Sequence, residues 1–164
     1  MEVAQSQFFG VVLLCLFVGG VGHAAPIESG KVKWGRGCAA TFAAAAESGN
    51  PVLIPFQEVP GKSGRQQFGR TVLSDPRLGA VIEADFEPLA VYHNRGGANA
   101  EWFKRLGAPA SNFQVIRFLD AKGGRNHTLE KIASGKAALA DRLVEVLNEI
   151  NRPVPEVLSL PAQT

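Results

Sequence analysis

Side chains able to attack a bond or hold a metal are few in this chain. The sequence has two cysteines, Cys15 and Cys38, and three histidines, of which His93 and His127 stand outside the N-terminal segment. Zinc sites need clustered ligands, and a hydrolytic triad needs a nucleophile and an acid beside its histidine. No such spacing surrounds either histidine. We therefore expect no bound metal, and we expect both histidines to be structural or exposed.

Cys38 is the remaining thiol once the first 24 residues are set aside. A single thiol makes no disulfide within one chain. Its neighbours Ala39, Ala40 and Phe42 favour burial, where cysteine behaves as a small apolar side chain. The alternatives are a free thiol that meets another chain and a nucleophile, and the sequence leaves them open.

Three basic residues, Lys62, Arg65 and Arg70, lie near the predicted start of a helix that follows a turn at Pro60-Gly61. A helix N-terminus attracts anions, so this turn is a candidate site for a small anion or an acidic peptide. The alternative is that all three side chains are simply solvated. The glycine pairs elsewhere in the chain lack the pattern of a phosphate-binding loop, and we expect no cofactor.

The N-terminal segment indicates export. Phe8–Gly20 is an apolar run, too short for a span of about 20 residues, and Gly22-His23-Ala24 follows it. This order is typical of a signal peptide, residues 1–24, cut after Ala24, which predicts a periplasmic or extracellular protein. An uncleaved anchor and a core element are the alternatives. The polar, glycine-rich residues 25–36 are expected to form a flexible lead-in.

Composition excludes several classes of function. Hydrophobic residues make up 46% of the 164 residues and charged residues 20%, as in one globular domain with its own core. The formal charge of +2 would rise by one with the loss of Glu2, and it is spread evenly. Nucleic-acid binding usually needs a basic patch, so we expect no nucleic-acid partner. The expected partner is an unknown exported protein or peptide, and a membrane only if the leader stays attached.

Strand and helix patterns alternate along the chain. Because helices then cover both faces of a sheet, the pattern predicts an α/β fold. The stretch Asn126–Ile132 fits either a fourth strand or the start of the next helix, and a hairpin at Gly123-Gly124 would make the sheet mixed. The other predicted strands are Pro51–Phe56, Phe86–His93 and Gln114–Leu119, and the predicted helices are Cys38–Ser48, Ser63–Leu73, Arg77–Ala84, Asn99–Leu106 and Ala137–Ile150.

Two segments resemble the thioredoxin-like superfamily: Asn50–Phe56, running through a turn and Phe68 to Pro76, and Gln114–Gly123. The resemblance implies a three-layer sandwich with a central mixed sheet of about four strands. The domain would occupy residues 37–152 and be followed by a C-terminal tail, residues 153–164.

A narrower resemblance is to thioredoxin-like proteins with a Val-Pro-Gly-selenocysteine or Val-Pro-Gly-cysteine motif. It is carried by Glu58–Gly61 with Phe68-Gly69-Arg70, by Val91–Gly97 and by Arg152–Pro155.

The resemblance also shows what is missing. That family has selenocysteine or cysteine directly after Val-Pro-Gly and threonine or cysteine three positions later, where this chain has Lys62 and Arg65. Gln114 takes the position of the family's cis-proline. Thiol–disulfide exchange needs a thiolate or selenolate, which lysine does not supply.

We therefore expect no catalytic residue at the turn. The resemblance then implies an exported thioredoxin-like domain that has lost exchange and serves as a binding or scaffold module. The alternative is a thiol–disulfide oxidoreductase, as the family would imply, that uses Cys38 or a partner's thiol.

Overall fold

The computed structural model describes residues 26–105, 115–129 and 135–159. The predicted signal peptide and Gln114 lie outside these residues. In the part of the chain that is described, no helix is both long enough and apolar enough to cross a membrane.

A mixed sheet forms the centre of the fold. Strand β1 (Val52–Gln57) pairs in parallel with β2 (Glu87–Pro88) and β3 (Val91–Tyr92), and antiparallel with β4 (Ile116–Leu119). Strand β5 (Arg125–Leu129) adds antiparallel to β4, so the spatial order is β2/β3, β1, β4, β5. The strand alternative for this last segment is therefore confirmed.

The predicted strand Phe86–His93 is divided into β2 and β3 by Leu89 and Ala90. The hydrogen bonding to β1 is still continuous, because the Leu89 amide donates to the Leu53 carbonyl at 2.9 Å. On its other side this edge meets Gly35, whose carbonyl accepts from the Ala90 amide at 3.0 Å. The short parallel contact at Gly35 covers part of an edge that would otherwise be open.

The helices lie close to their predicted positions. Asp75 ends one predicted helix and begins the next, since its carboxylate accepts the amides of Arg77 and Leu78 at 3.0 and 3.3 Å. Gly49 ends the first helix in the left-handed conformation, with φ of 71°. The helices are α1 (Cys38–Ser48), α2 (Ser63–Thr71), α3 (Pro76–Asp85), α4 (Ala98–Arg105), α5 (Gly135–Glu149) and α6 (Glu156–Ser159).

The sheet separates two apolar cores, as alternation along β1 requires. Leu53 points into the first core, together with apolar residues of α2, α3 and α5. Val52, Ile54 and Phe56 point into the second core, which α1 and α4 cover. The predicted α/β three-layer sandwich with a mixed sheet of about four strands is confirmed.

Residues 26–36 differ from the flexible lead-in that the sequence predicts. Glu28 and Ser29 are buried, and Val32 belongs to the first core. A Cβ on Gly69 would lie 2.0 Å from the Ile27 carbonyl oxygen, so the absence of a side chain there permits a close approach of two backbones. At Gly30 a Cβ would lie 2.4 Å from the carbonyl carbon of Leu73. Gly30, which had suggested flexibility, is thus a packing position, and Gly69 of α2 is another.

Candidate functional site

The turn between β1 and α2 is the candidate site, and it presents residues at the start of a helix. Lys62 is the N-cap of α2 and Arg65 is its third residue. The Lys62 carbonyl accepts the backbone amides of Arg65 and Gln66 at 2.9 and 3.2 Å. The structure therefore places both residues in the position that the sequence predicts, in the first turn of the helix.

Arg65 lies inside the protein instead of facing a ligand. It is 5% exposed, and its Nη1 donates to the Phe56 carbonyl at 3.2 Å. Its Nε lies 3.8 Å from Oε2 of Glu58. Burial lowers the pKa of Arg65, while Glu58 and Glu28 act to raise it. Neither an anion site at Arg65 nor a solvated Arg65 is correct, because the guanidinium satisfies groups of its own chain.

Glu28 fixes the other side of the turn, and no sequence pattern pointed to it. Its Oε1 accepts the Gly61 amide at 2.7 Å, although 33 residues separate the two. Its backbone carbonyl accepts from Nε2 of Gln57 at 2.8 Å, and the Ser29 hydroxyl donates to Oε1 of Gln57 at 3.0 Å. The segment before α1 thus fastens the end of β1 and the beginning of the turn together.

The end of β3 brings His93 and Asn94 to the same end of the sheet. The His93 amide donates to the Gln57 carbonyl at 3.0 Å, and its ring centroid lies 5.5 Å from that of Phe103. The Asn94 side chain accepts the Val59 amide at 3.2 Å and donates to the Val59 carbonyl at 3.1 Å. The turn is therefore held by backbone-directed hydrogen bonds from two separate segments.

His93 is half-buried, not freely exposed. Burial lowers its pKa, the charge of Arg65 lowers the pKa further, and Glu58 acts in the opposite direction. The imidazole is consequently neutral at pH 7. His127 lies in β5, paired with Phe118 of β4, and β5 is at the opposite edge of the sheet from β3. Among the described residues no cluster of histidine, cysteine and acidic side chains could hold a metal.

Cys38 belongs to another layer of the fold. It is the first residue of α1 and packs, half-buried, on the second core, whereas Phe68 of α2 packs in the first core. Burial raises the pKa of the Cys38 thiol, and a hydrogen bond to its backbone acts in the opposite direction. Little of it is thiolate at neutral pH, and the thiolate is the attacking form in exchange.

The residues of the turn thus offer carboxylates, a guanidinium, an ammonium and a neutral imidazole. None of these is a soft nucleophile that attacks a disulfide sulfur. The predicted cis-proline position, Gln114, lies outside the described residues. Its neighbour Val115 is buried and accepts the Phe56 amide through its carbonyl at 2.9 Å.

The solved structures that are similar to this one include an oxidoreductase, a thioredoxin and a putative disulphide-isomerase. A DsbH oxidoreductase has a TM-score of 0.60 and 14% identity, covering 80% of this chain and 93% of its own. A thioredoxin from Thermus thermophilus has a TM-score of 0.58 and 23% identity, and the similarity covers 70% of this chain and 86% of the thioredoxin. A putative disulphide-isomerase from Bacteroides thetaiotaomicron has a TM-score of 0.56 and 14% identity, covering 72% and 94%.

These likenesses show that the chain has a thioredoxin-like fold. No family model matches it, and no curated protein matches it by sequence. The narrower resemblance, to the Val-Pro-Gly-selenocysteine proteins, stays a prediction.

Proposed function

We propose that this protein is an exported thioredoxin-like domain that no longer carries out thiol–disulfide exchange and acts as a binding or scaffold module. Its partner would be another exported protein or peptide. The fold is that of redox proteins, and the helix start that would carry the reactive sulfur or selenium carries Lys62 and Arg65.

The buried state of Arg65 is the observation that carries the proposal. Exchange needs a thiolate or selenolate as the attacking group, and the first position of the helix start holds Lys62 instead. Arg65, three positions later, is 5% exposed and directs Nη1 at the Phe56 carbonyl. The side chain occupies the base of the turn as part of the fold. This supports a turn whose third helical position has become structural.

The exposed part of the turn supports the binding half of the proposal. Pro60, Lys62 and Ser63 are exposed, and the hydrogen bonds from Glu28 and Asn94 hold the backbone beneath them in place. A rigid exposed loop loses little conformational entropy when it binds a partner.

The alternative is a thiol–disulfide oxidoreductase that uses Cys38. It is favoured by the names of the similar structures, an oxidoreductase and a putative disulphide-isomerase. Against it stand the raised pKa of Cys38 and its place on the second core.

Reduction of insulin by dithiothreitol, with and without the purified protein, separates the two functions. We expect no acceleration by the wild type and no difference between the wild type and Cys38→Ser. Lys62→Cys in the Cys38→Ser background serves as the matched variant, because it restores a thiol at the N-cap of α2, where helix ends lower thiol pKa values. Acceleration by the wild type that Cys38→Ser abolishes would establish the alternative instead.

Export is the remaining part of the proposal. It follows from the apolar run Phe8–Gly20 and the small residues before Ala25. The N-terminus of the exported form is expected to be Ala25, and an intact mass that includes residues 1–24 would contradict this.

A further inference from the structure

Two arginines outside the turn converge on a single aromatic ring. The guanidinium carbon of Arg36 lies 4.3 Å from the ring centroid of Tyr92, and that of Arg95 lies 4.9 Å from the same centroid. Tyr92 is 6% exposed, whereas both arginines are exposed. Each guanidinium is therefore held over a fixed, buried ring at the protein surface.

The backbone fixes this arrangement from two directions. Gly35, next to Arg36, is joined to the strand by hydrogen bonds to Pro88 and Ala90 of 2.8 and 3.0 Å. A turn after β3 returns Arg95 to the ring, with its amide 3.3 Å from the Tyr92 carbonyl. The neighbouring Asn94 is anchored to Val59 by two hydrogen bonds. Little rearrangement is needed to present both cations together.

Across residues 26–105, 115–129 and 135–159, no carboxylate forms an ion pair with Arg36 or Arg95. Burial lowers the pKa of Arg36, and repulsion from Arg95 lowers it further. Since Arg95 repels the charge of Arg36, an anion that contacts both guanidinium groups would relieve the repulsion.

Guanidinium chemistry defines the class of anion. A guanidinium that stacks on a ring through its face keeps its N–H edge available for acceptors in its own plane. Two such edges match an anion that carries at least two oxygens, because guanidinium groups bind carboxylate and phosphate in a bidentate manner.

We propose that Arg36 and Arg95, held over Tyr92, form a binding site for an oxyanion, either the carboxylate of an acidic peptide or a small inorganic anion such as sulfate. The site lies beside the candidate turn, since Tyr92 pairs with Gln57 at the end of β1. It does not depend on whether exchange chemistry has been lost. It also replaces Arg65 as the place where an anion meets this end of the sheet.

Tyr92 makes the test specific, because it is the one tyrosine in the sequence. Protein with a ¹³C-labelled tyrosine ring gives ring signals from this site alone. It is titrated at constant ionic strength with sodium sulfate, with a short glutamate-containing peptide whose C-terminus is amidated, and with the same amidated peptide carrying glutamine instead. We expect saturable shifts of the Tyr92 ring with sulfate or with the glutamate peptide, and none with the glutamine peptide.

Variants identify the residues responsible. Arg36→Gln and Arg95→Gln are each expected to weaken binding about tenfold, since each removes a charge-assisted hydrogen-bonding group. Arg95→Lys keeps the positive charge but lacks the planar guanidinium, so it should weaken binding less than Arg95→Gln. A graded loss of this kind distinguishes an effect on anion recognition from a loss of folding. Lys122→Gln removes one exposed positive charge in the turn after β4, at the other end of the sheet from Tyr92. It is the matched control and should stay within about twofold of the wild type.

The outcomes are distinct. Saturation by sulfate alone supports a small-anion site, and saturation by the glutamate peptide supports a carboxylate site. A linear, unsaturated shift in the wild type overturns the proposal, as does equal weakening by Lys122→Gln and Arg95→Gln. Because the readout is the Tyr92 ring, neither result depends on the insulin assay.

Discussion

Arg65 is an unfavourable residue for its position when the helix is considered alone. A cation in the first turn of a helix faces the positive end of the helix dipole. The protein offsets this with the Phe56 carbonyl, with Glu58 at 3.8 Å and with the nearby buried carboxylate of Glu28. Arg65 and Glu28 therefore depend on each other, and the turn depends on both.

Replacing Arg65 with methionine should destabilise the protein by about 2–4 kcal/mol, because it removes the cation from beside a buried carboxylate. The measurement is urea unfolding of Arg65→Met at pH 7. Arg70→Met, an exposed change on the same helix, should alter the free energy of unfolding by less than about 0.5 kcal/mol.

A second variant identifies the reason for the loss. Glu28→Gln combined with Arg65→Met should recover part of the stability, since the unpaired buried charge is then removed. If Arg65→Met proves as mild as Arg70→Met, Arg65 is not a structural residue of the turn.

The sequence predicted the position of Lys62 and Arg65 in the fold, but it did not predict that Arg65 is buried. The apolar strand, Pro60-Gly61 and the helix pattern predicted the placement of Lys62 and Arg65 at a helix start. Burial of Arg65 was not predicted, because arginine is seldom fully buried and its burial here depends on Glu28, which is distant in sequence. The location of His93 beside the turn likewise became evident only once β3 was paired with β1.

The start of α3 shows how one residue can determine an element. Asp75 caps the helix, and its Oδ2 lies 2.9 Å from Nζ of Lys136 in α5. Burial alone would raise the pKa of Asp75, but the Lys136 hydrogen bond and the amides of Leu78 and Arg77 outweigh it, so the pKa is lowered. The carboxylate thus connects α3 with α5 at the edge of the first core.

The lowered pKa predicts the pH dependence of stability. A carboxyl group whose pKa is lower in the folded state contributes stability above its unfolded value of about 3.9, and the contribution is lost as the pH falls through the folded pKa. Asp75→Asn should therefore cost about 1 kcal/mol at pH 7 and progressively less below pH 4. Urea unfolding at a series of pH values measures the difference.

Asp141→Asn is the matched control, because Asp141 is an exposed aspartate on α5. Its effect should be small at every pH. A cost of Asp75→Asn that stays constant down to pH 2 would show that the cap matters through geometry alone.

Element positions followed from the sequence where local rules were strong. Gly49 and Asp75-Pro76 ended and began helices as expected, and the apolar spacing of α5 was clear from Leu139 to Leu147. Residues 26–36 were misread as flexible, because glycine permits close packing as well as flexibility. The close contacts of Gly30 with Leu73 and of Ile27 with Gly69 show that packing is the role here.

At the scale of the whole molecule, the same fold can occur with different residues at the turn between β1 and α2. The three-layer arrangement is shared with a thioredoxin and with a DsbH oxidoreductase, at 23% and 14% identity. The two apolar cores explain why the fold tolerates such divergence, since they need only apolar side chains of suitable volume. The turn between β1 and α2 is not constrained by core packing in this way. Here the positions predicted for the redox residues are occupied by Lys62 and Arg65. A fold by itself does not identify an activity.

The most direct test of lost exchange is the rate at which the purified protein forms a mixed disulfide with glutathione disulfide at pH 7, followed by intact mass. For protein cut after Ala24, which lacks Cys15, we predict slow formation of one adduct, on Cys38 alone. Its rate should rise with pH until above the ordinary thiol pKa of about 8.5, because the pKa of Cys38 is raised. Cys38→Ser should form none. Rapid adduct formation by the wild type at pH 7 would contradict the proposal that this scaffold has given up exchange chemistry.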